Sequence, residues 1–253
     1  MMPRVVAAET LDGLAEDDPA AMRSRRDLQR VHRVMGTRGI MLRALRDFRA
    51  LAVSRSAETP LRILELGAGD GSLMLGVARA LQGKWPAVEI TLLDRQNLVS
   101  RPTIAGYARL GWRATPQVMD VFDWASSRES ERSGHVAYWD VIVANLFLHH
   151  FEGPQLAALL AAIESRTESV FACEPRRARL ALAGSHLIGA LGANAVTRED
   201  AVLSVHAGFR DSEISALWPG NRPGWTLDEY PASLFSHCFC AQRSDLEAAA
   251  APS

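Results

Sequence analysis

Arg62-Ile63-Leu64-Glu65-Leu66-Gly67-Ala68-Gly69-Asp70-Gly71 is the stretch on which the fold turns. The run from Arg62 to Leu66 predicts a short strand and Ser72 to Leu81 predicts a helix, so the glycines stand at a strand-to-helix turn. The same alternation continues outward. Strands are predicted at Val88–Leu93, Thr115–Met119, Asp140–Ala144 and Val170–Cys173, with helices over Thr103–Leu110 and Pro154–Ser165. Strands alternating with helices of this length imply right-handed βαβ crossovers and a parallel sheet covered on both faces. The end of the chain differs. Trp225–Tyr230 and Leu234–Ala241 are strand-like runs separated only by Pro231-Ala232-Ser233, too close for a helical crossover, so they are expected to pair antiparallel.

In an open parallel sheet, a glycine loop at the carboxyl end of the first strand marks a ligand crevice. A dinucleotide fingerprint, G-x-G-x-x-G/A, would place its third small residue at position 72, which is Ser72. Charge is the stronger discriminator. Glu65 and Asp70 flank the loop, and a carboxylate beside a pyrophosphate repels it, whereas a sulfonium or ammonium group is attracted. Asp94 ends the second strand 23 residues beyond Gly71. An acid there accepts hydrogen bonds from a ribose diol in either cofactor class. The third strand runs out into Met119-Asp120-Val121, an acid followed by apolar residues that fits an adenine edge and ring; ordinary loop capping by Asp120 or Asp123 is the alternative.

Composition narrows the class further. The 253 residues are 48% hydrophobic, enough to bury a core, and 28 basic against 29 acidic side chains give a net charge of −1. No global field draws the chain to nucleic acid. Three cysteines, Cys173, Cys238 and Cys240, are odd in number and lack paired zinc-site spacing, which points to a reducing, cytoplasmic compartment. The acidic start argues against a signal peptide, and Leu180–Val196 is too interrupted for a membrane span. Asp18-Pro19 reads as a helix start, and two helices joined at a bend flanked by Gly36 and Gly39 are expected next. Their arginines fall mostly between apolar positions, as on a solvated face.

Glu65–Gly71, Asp94, Asp120 and the run Trp139-Asp140-Val141-Ile142-Val143-Ala144-Asn145-Leu146-Phe147-Leu148-His149-His150-Phe151 together resemble a class I S-adenosylmethionine-dependent methyltransferase of the small-molecule, quinone-biosynthesis-like type. The resemblance covers roughly residues 60–241. It implies an α/β fold: a Rossmann-like, three-layer α/β/α domain with a seven-stranded, mostly parallel sheet and an antiparallel last strand, here with an N-terminal helical cover. It further implies that Glu65, Gly67, Ala68, Gly69 and Gly71 line the methionine end of S-adenosyl-L-methionine. Asp94 would hold the ribose with Arg95 beside it, Asp120 and Val121 the adenine, and Asn145 would lie next to the methyl group. Arg176, Arg177, Thr197-Arg198-Glu199-Asp200 and Ser204 would lie near the substrate entrance.

Methyl transfer needs no protein nucleophile, because the cofactor supplies the electrophile and the chain aligns the acceptor. A hydroxyl acceptor gains from a base, for which His149 and His150 are the candidates, with His186 and His206 behind them. No metal is expected: adjacent histidines are taken to point apart, and no third ligand is evident. Asn145-Leu146-Phe147-Leu148 lacks the prolines associated with methylation of planar amines, which favours a hydroxyl, or a carbon, of a small hydrophobic or aromatic acceptor. An NAD-type oxidoreductase and a cofactor-binding module serving a partner protein are the alternatives; the oligomeric state stays open. The expected layout is a flexible N-terminus over 1–18, a helical cover over 19–56, the cofactor domain over 57–243 with a lid or substrate insertion at 175–222, and a flexible tail at 244–253.

Overall fold

A computed structural model describes residues 2–48, 59–127, 138–219 and 224–244. The boundary expected between cover and cofactor domain, and all but Ser244 of the expected tail, lie outside them. Seven strands, β1 (Leu61–Leu66), β2 (Val88–Asp94), β3 (Trp112–Val118), β4 (Trp139–Asn145), β5 (Thr167–Pro175), β6 (Trp225–Pro231) and β7 (Ser236–Arg243), form one sheet in the order β3-β2-β1-β4-β5-β7-β6. β1 to β5 run parallel, and β7 runs antiparallel to both of its neighbours. Strand order reverses between β1 and β4, which opens a crevice above their carboxyl ends.

The α-helices among the described residues are a single turn α1 (Thr10–Gly13), then α2 (Pro19–Met35), α3 (Thr37–Asp47), α4 (Ser72–Leu81), α5 (Arg101–Ala108), α6 (Val121–Ser126), α7 (Gly153–Glu164), α8 (Arg179–Leu187) and α9 (Ala195–Ala207). None among the described residues is long and apolar enough to cross a membrane. Alternate strand residues feed two apolar layers. Leu61, Ile63, Val141, Val143 and Phe171 pack with α3, α4 and Tyr107 on one side. Leu64, Leu66, Ile142, Ala144 and Val170 pack with Trp124, α7, Phe209 and Trp218 on the other. The inner strands are buried on both faces, while the edge strands β3 and β6 are half-exposed and carry Pro116 and Pro231, whose missing amide donors an edge tolerates.

Helix starts follow capping chemistry. Asp18 accepts hydrogen bonds from the amides of Ala20 and Ala21, with Pro19 at the first position, and Gly36 at φ +68° ends α2 and opens α3. The bend falls at Gly36; Gly39 lies inside α3. Met41, Ala44, Leu45 and Phe48 insert into the core, where α3 packs against α4 and β5, so α3 belongs to the helical layer of the sheet. α2 packs on α9 and roofs the crevice. Strand β3 begins at Trp112 and β7 ends at Arg243, both offset from the predicted runs, and Ser215–Leu217 forms a 3₁₀ turn.

Residues 2–18, expected to fray, instead run across the molecule. Arg4 donates to the carbonyls of Ala207, His149 and Phe151 and stacks over Phe209; the amides of Thr10 and Leu11 donate to Asp200. An acid-rich composition says nothing of such partners, because they lie in distant elements.

Candidate active site

One cavity of about 300 Å³ opens at the switch point, lined by the β1–α4 loop, the ends of β2 and β4, the start of α6, one side of α2 and Glu9, Leu11 and Asp12. Glu65, Gly67, Ala68, Gly69, Asp94, Arg95, Asp120, Val121, Asn145, His149 and His150 all line it. Gly71 does not. Its carbonyl accepts from the Tyr107 hydroxyl at 2.9 Å, and a Cβ there would press on Leu92, so its service is to the turn beneath the cavity.

Gly67 stands at φ +66°, and a Cβ on it would fall 2.3 Å from the ring of Phe147. Only glycine combines that conformation with so close a neighbour. Asp94 is shared: one oxygen accepts from the Gly69 amide at 2.8 Å, the other from the Gln96 amide at 2.9 Å. Each oxygen keeps a second lone-pair direction for a ligand hydroxyl. Asp70 is held by Gln29 of α2, whose amide donates at 2.7 Å. Asp120 lines the cavity and also caps α6 by accepting from Phe122 N at 2.7 Å, so both readings of that residue meet in one side chain. Arg95 turns to Asp12, where it pairs with the carboxylate at 3.1 Å.

Glu65 occupies the place in the strand alternation that Leu61 and Ile63 fill below it. It is 3% exposed, and its Oε2 has no hydrogen-bond partner. Burial, and then the charges of Asp70 and Asp94, push its carboxyl well above the usual range. Such a group resists ionising until a cation arrives. Asn145, 9% exposed, carries the second orphan in the cavity, its Oδ1, while its Nδ2 donates to His32 Nε2 at 3.4 Å. At Leu146 the chain turns through φ +49°, a strained value for a branched residue.

His149 is buried between two carboxylates. Its Nδ1 lies 2.8 Å from Glu174 Oε2 and its Nε2 3.3 Å from Glu9 Oε1. Burial alone would lower its pKa, but the hydrogen bonds to Glu174 and Glu9 outweigh it and push the imidazole up to about 9. It therefore holds a proton at neutral pH, the wrong state for a resting base. His150 moves the other way, lowered by burial and then by the charge on His149. The expectation that these neighbours diverge and lack a third ligand is overturned. Their ring centroids are 4.2 Å apart, and Glu9 brings a carboxylate to within 4.8 Å of a nitrogen from each, because the N-terminal segment crosses here.

Of the remaining entrance residues only Ser204 reaches the cavity, where it bonds Glu9. Arg177 is buried and donates to the carbonyls of Met2 and Gly208. Thr197 bonds Ser24 at 2.7 Å, and Asp200 holds Thr10 and Leu11. These side chains fasten the N-terminal segment and α2 rather than meet a ligand. Neither His186 nor His206 lines the cavity.

Three functional candidates escaped the sequence reading: His32, Glu9 and Glu174. Glu174, fully buried near the end of β5, accepts from the amides of Phe147, Leu148 and His149 as well as from the His149 ring. A signal was present, since an acid inside Val170-Phe171-Ala172-Cys173-Glu174-Pro175 breaks an apolar strand.

No family model matches the chain, and no curated protein matches it. Solved structures do. The plantazolicin methyltransferase BpumL in complex with SAH superposes with a TM-score of 0.56 at 16% identity, over 90% of this chain and 91% of that one. The plantazolicin methyltransferase BamL, in complex with a triazolic desmethylPZN analogue and SAH, gives 0.58 at 14% identity, over 92% and 93%. The chain thus has the Rossmann-like fold of class I S-adenosylmethionine-dependent methyltransferases. At these identities the likeness is one of fold.

Proposed function

We propose that the protein is an S-adenosylmethionine-dependent methyltransferase acting on an oxygen of a small, apolar or aromatic acceptor. One observation carries the reading: the cavity at the switch point gathers Glu65, Asp70 and Asp94, one of them buried with a free oxygen, around a glycine loop. Asp70 beside the loop repels the phosphates of a dinucleotide, and Glu65, neutral until a cation arrives, suits a ligand with ammonium and sulfonium charges. An NAD-type oxidoreductase loses ground for the same reason. BpumL and BamL, which share the fold, are in complex with SAH, and that agrees with it.

When bound, the cofactor supplies an electrophilic methyl group on sulfur. The chain's own residues do the rest. Glu65 and Asp70 accept hydrogen bonds from the amino-acid end, Asp94 from the ribose diol and Asp120 from the adenine amino group, with Val121 and Met119 against the ring. Asn145 Oδ1 faces the reacting end and orients an acceptor hydroxyl. His32, whose pKa burial lowers to about 4, stays neutral and accepts from Asn145 Nδ2, which holds the Asn145 amide in place. Phe147 and Phe151, in edge-to-face contact at 5.2 Å, offer an apolar wall for a planar acceptor.

The test is mass spectrometry of a panel of phenols, quinols and carboxylates incubated with methyl-labelled cofactor, beside calorimetric titration with S-adenosylhomocysteine. Label appearing on an oxygen supports the reading. Absence of any heat of binding removes it.

A further inference from the structure

We infer that Glu9, His149 and His150 form a binding site for a divalent transition-metal cation of the zinc class, open towards the cavity. Glu174 lies behind the His149 ring. Its carboxylate accepts from three backbone amides, so the proton on the 2.8 Å contact to His149 belongs to Nδ1. Nε2 then faces Glu9 Oε1, 3.3 Å away, bridged to it by the second proton of the imidazolium or by a cation that takes that proton's place. Two acceptor atoms facing each other require something positive between them. A shared proton would serve these two alone. It would leave unexplained why His150 brings a third ligand atom, so that one atom from each residue lies within 4.8 Å of the others.

A cation accounts for all three. Nitrogen and oxygen ligands sit about 2.1 Å from zinc, so two of them on one tetrahedral ion lie about 3.4 Å apart. Two imidazoles with one carboxylate suit zinc and its first-row neighbours rather than magnesium or calcium. The Glu174–His149 pair supplies the outer carboxylate that metal-bound histidines commonly have. Asp12 Oδ2, 3.4 Å from His150 Nδ1, can support His150 in the same way. Three protein ligands facing a cavity leave a position for a water or an oxygen ligand, the pattern of reactive rather than structural zinc sites. The role follows from the proposed methyl transfer and rests on that reading: an acceptor hydroxyl bound to the cation loses its proton more readily. The binding itself does not rest on it.

The experiment uses the full chain, stripped with a chelator and titrated with zinc by calorimetry and with cobalt(II) by visible absorption. One equivalent per chain, with the intense bands of low-coordinate cobalt, is expected. Affinity should fall at least ~tenfold in Glu9→Gln and in His150→Ala. His150 is partly exposed, so its variant should keep the fold, and near-ultraviolet dichroism checks this. Titration of each metal-free variant with S-adenosylhomocysteine separates the two readings, because the residues proposed to hold the cofactor, Glu65, Asp70, Asp94 and Asp120, are not among the metal ligands. No metal uptake by the wild-type chain, or uptake unchanged in His150→Ala and Glu9→Gln, overturns the inference.

Discussion

The carboxylate of Asp94 accepts a hydrogen bond from the amide of Gly69 at 2.8 Å, so the acid that ends β2 holds the loop that ends β1. Ribose recognition and the shape of the glycine turn are one device. A change in either reaches the other.

Asp94→Ala is expected to weaken S-adenosylhomocysteine binding at least ~tenfold, about 1.4 kcal/mol. The loss includes the ligand contact and the slackened loop. Asp94→Asn, which keeps one acceptor oxygen, should fall between. Titration calorimetry measures both, and unchanged affinity in the alanine variant would remove the ribose assignment.

Gly67→Ala should destabilise the fold by roughly 2–4 kcal/mol, from the left-handed backbone together with overpacking against Phe147. Removing the ring in a Gly67→Ala, Phe147→Ala double variant should return part of that cost. Denaturant unfolding of the four proteins gives the coupling; additive effects would show that the ring is not what excludes the methyl group.

His32 sets a pH dependence. Its folded pKa of about 4 lies below the ordinary value of 6.5, so between those pH values the unfolded chain binds more protons. Stability should therefore be full above about pH 6.5 and fall as the pH drops towards 4, by up to about 3 kcal/mol. His32→Asn should flatten that part of the curve in denaturation measured across the range. A slope unchanged in the variant would assign it to other groups.

Arg4→Ala should free the N-terminal segment. Its guanidinium ties three carbonyls of two distant elements together. Hydrogen exchange at Thr10 and Leu11, whose amides donate to Asp200, should speed up, while exchange in β1 and β4 stays slow. Equal acceleration throughout would mean that Arg4 supports the whole fold.

The sheet was legible because its signals are local. Apolar runs, the glycine turn and the short gap between Tyr230 and Ser236 each carry their own physics. The cavity lining at the ends of β1, β2 and β4 follows from that topology. The roof was not legible, since nothing near Glu9 or Arg4 in sequence announces His149 or Ala207, and an acid-rich start resembles a solvated one. His149 was found by position and misjudged in charge, because its proton depends on Glu174 and Glu9, which lie in other elements. Gly71 matched its motif but serves the turn.

The position of β7 between β5 and β6 has a consequence for biosynthesis. β5 is buried on both faces, yet one edge of it stays unpaired until Ser236–Arg243 has been made. A nascent chain on the ribosome thus carries an open, apolar β-edge from the synthesis of Pro175 until Ser236–Arg243 follows, the kind of surface that invites aggregation. A chain that stops short of Ser236 would keep that edge permanently.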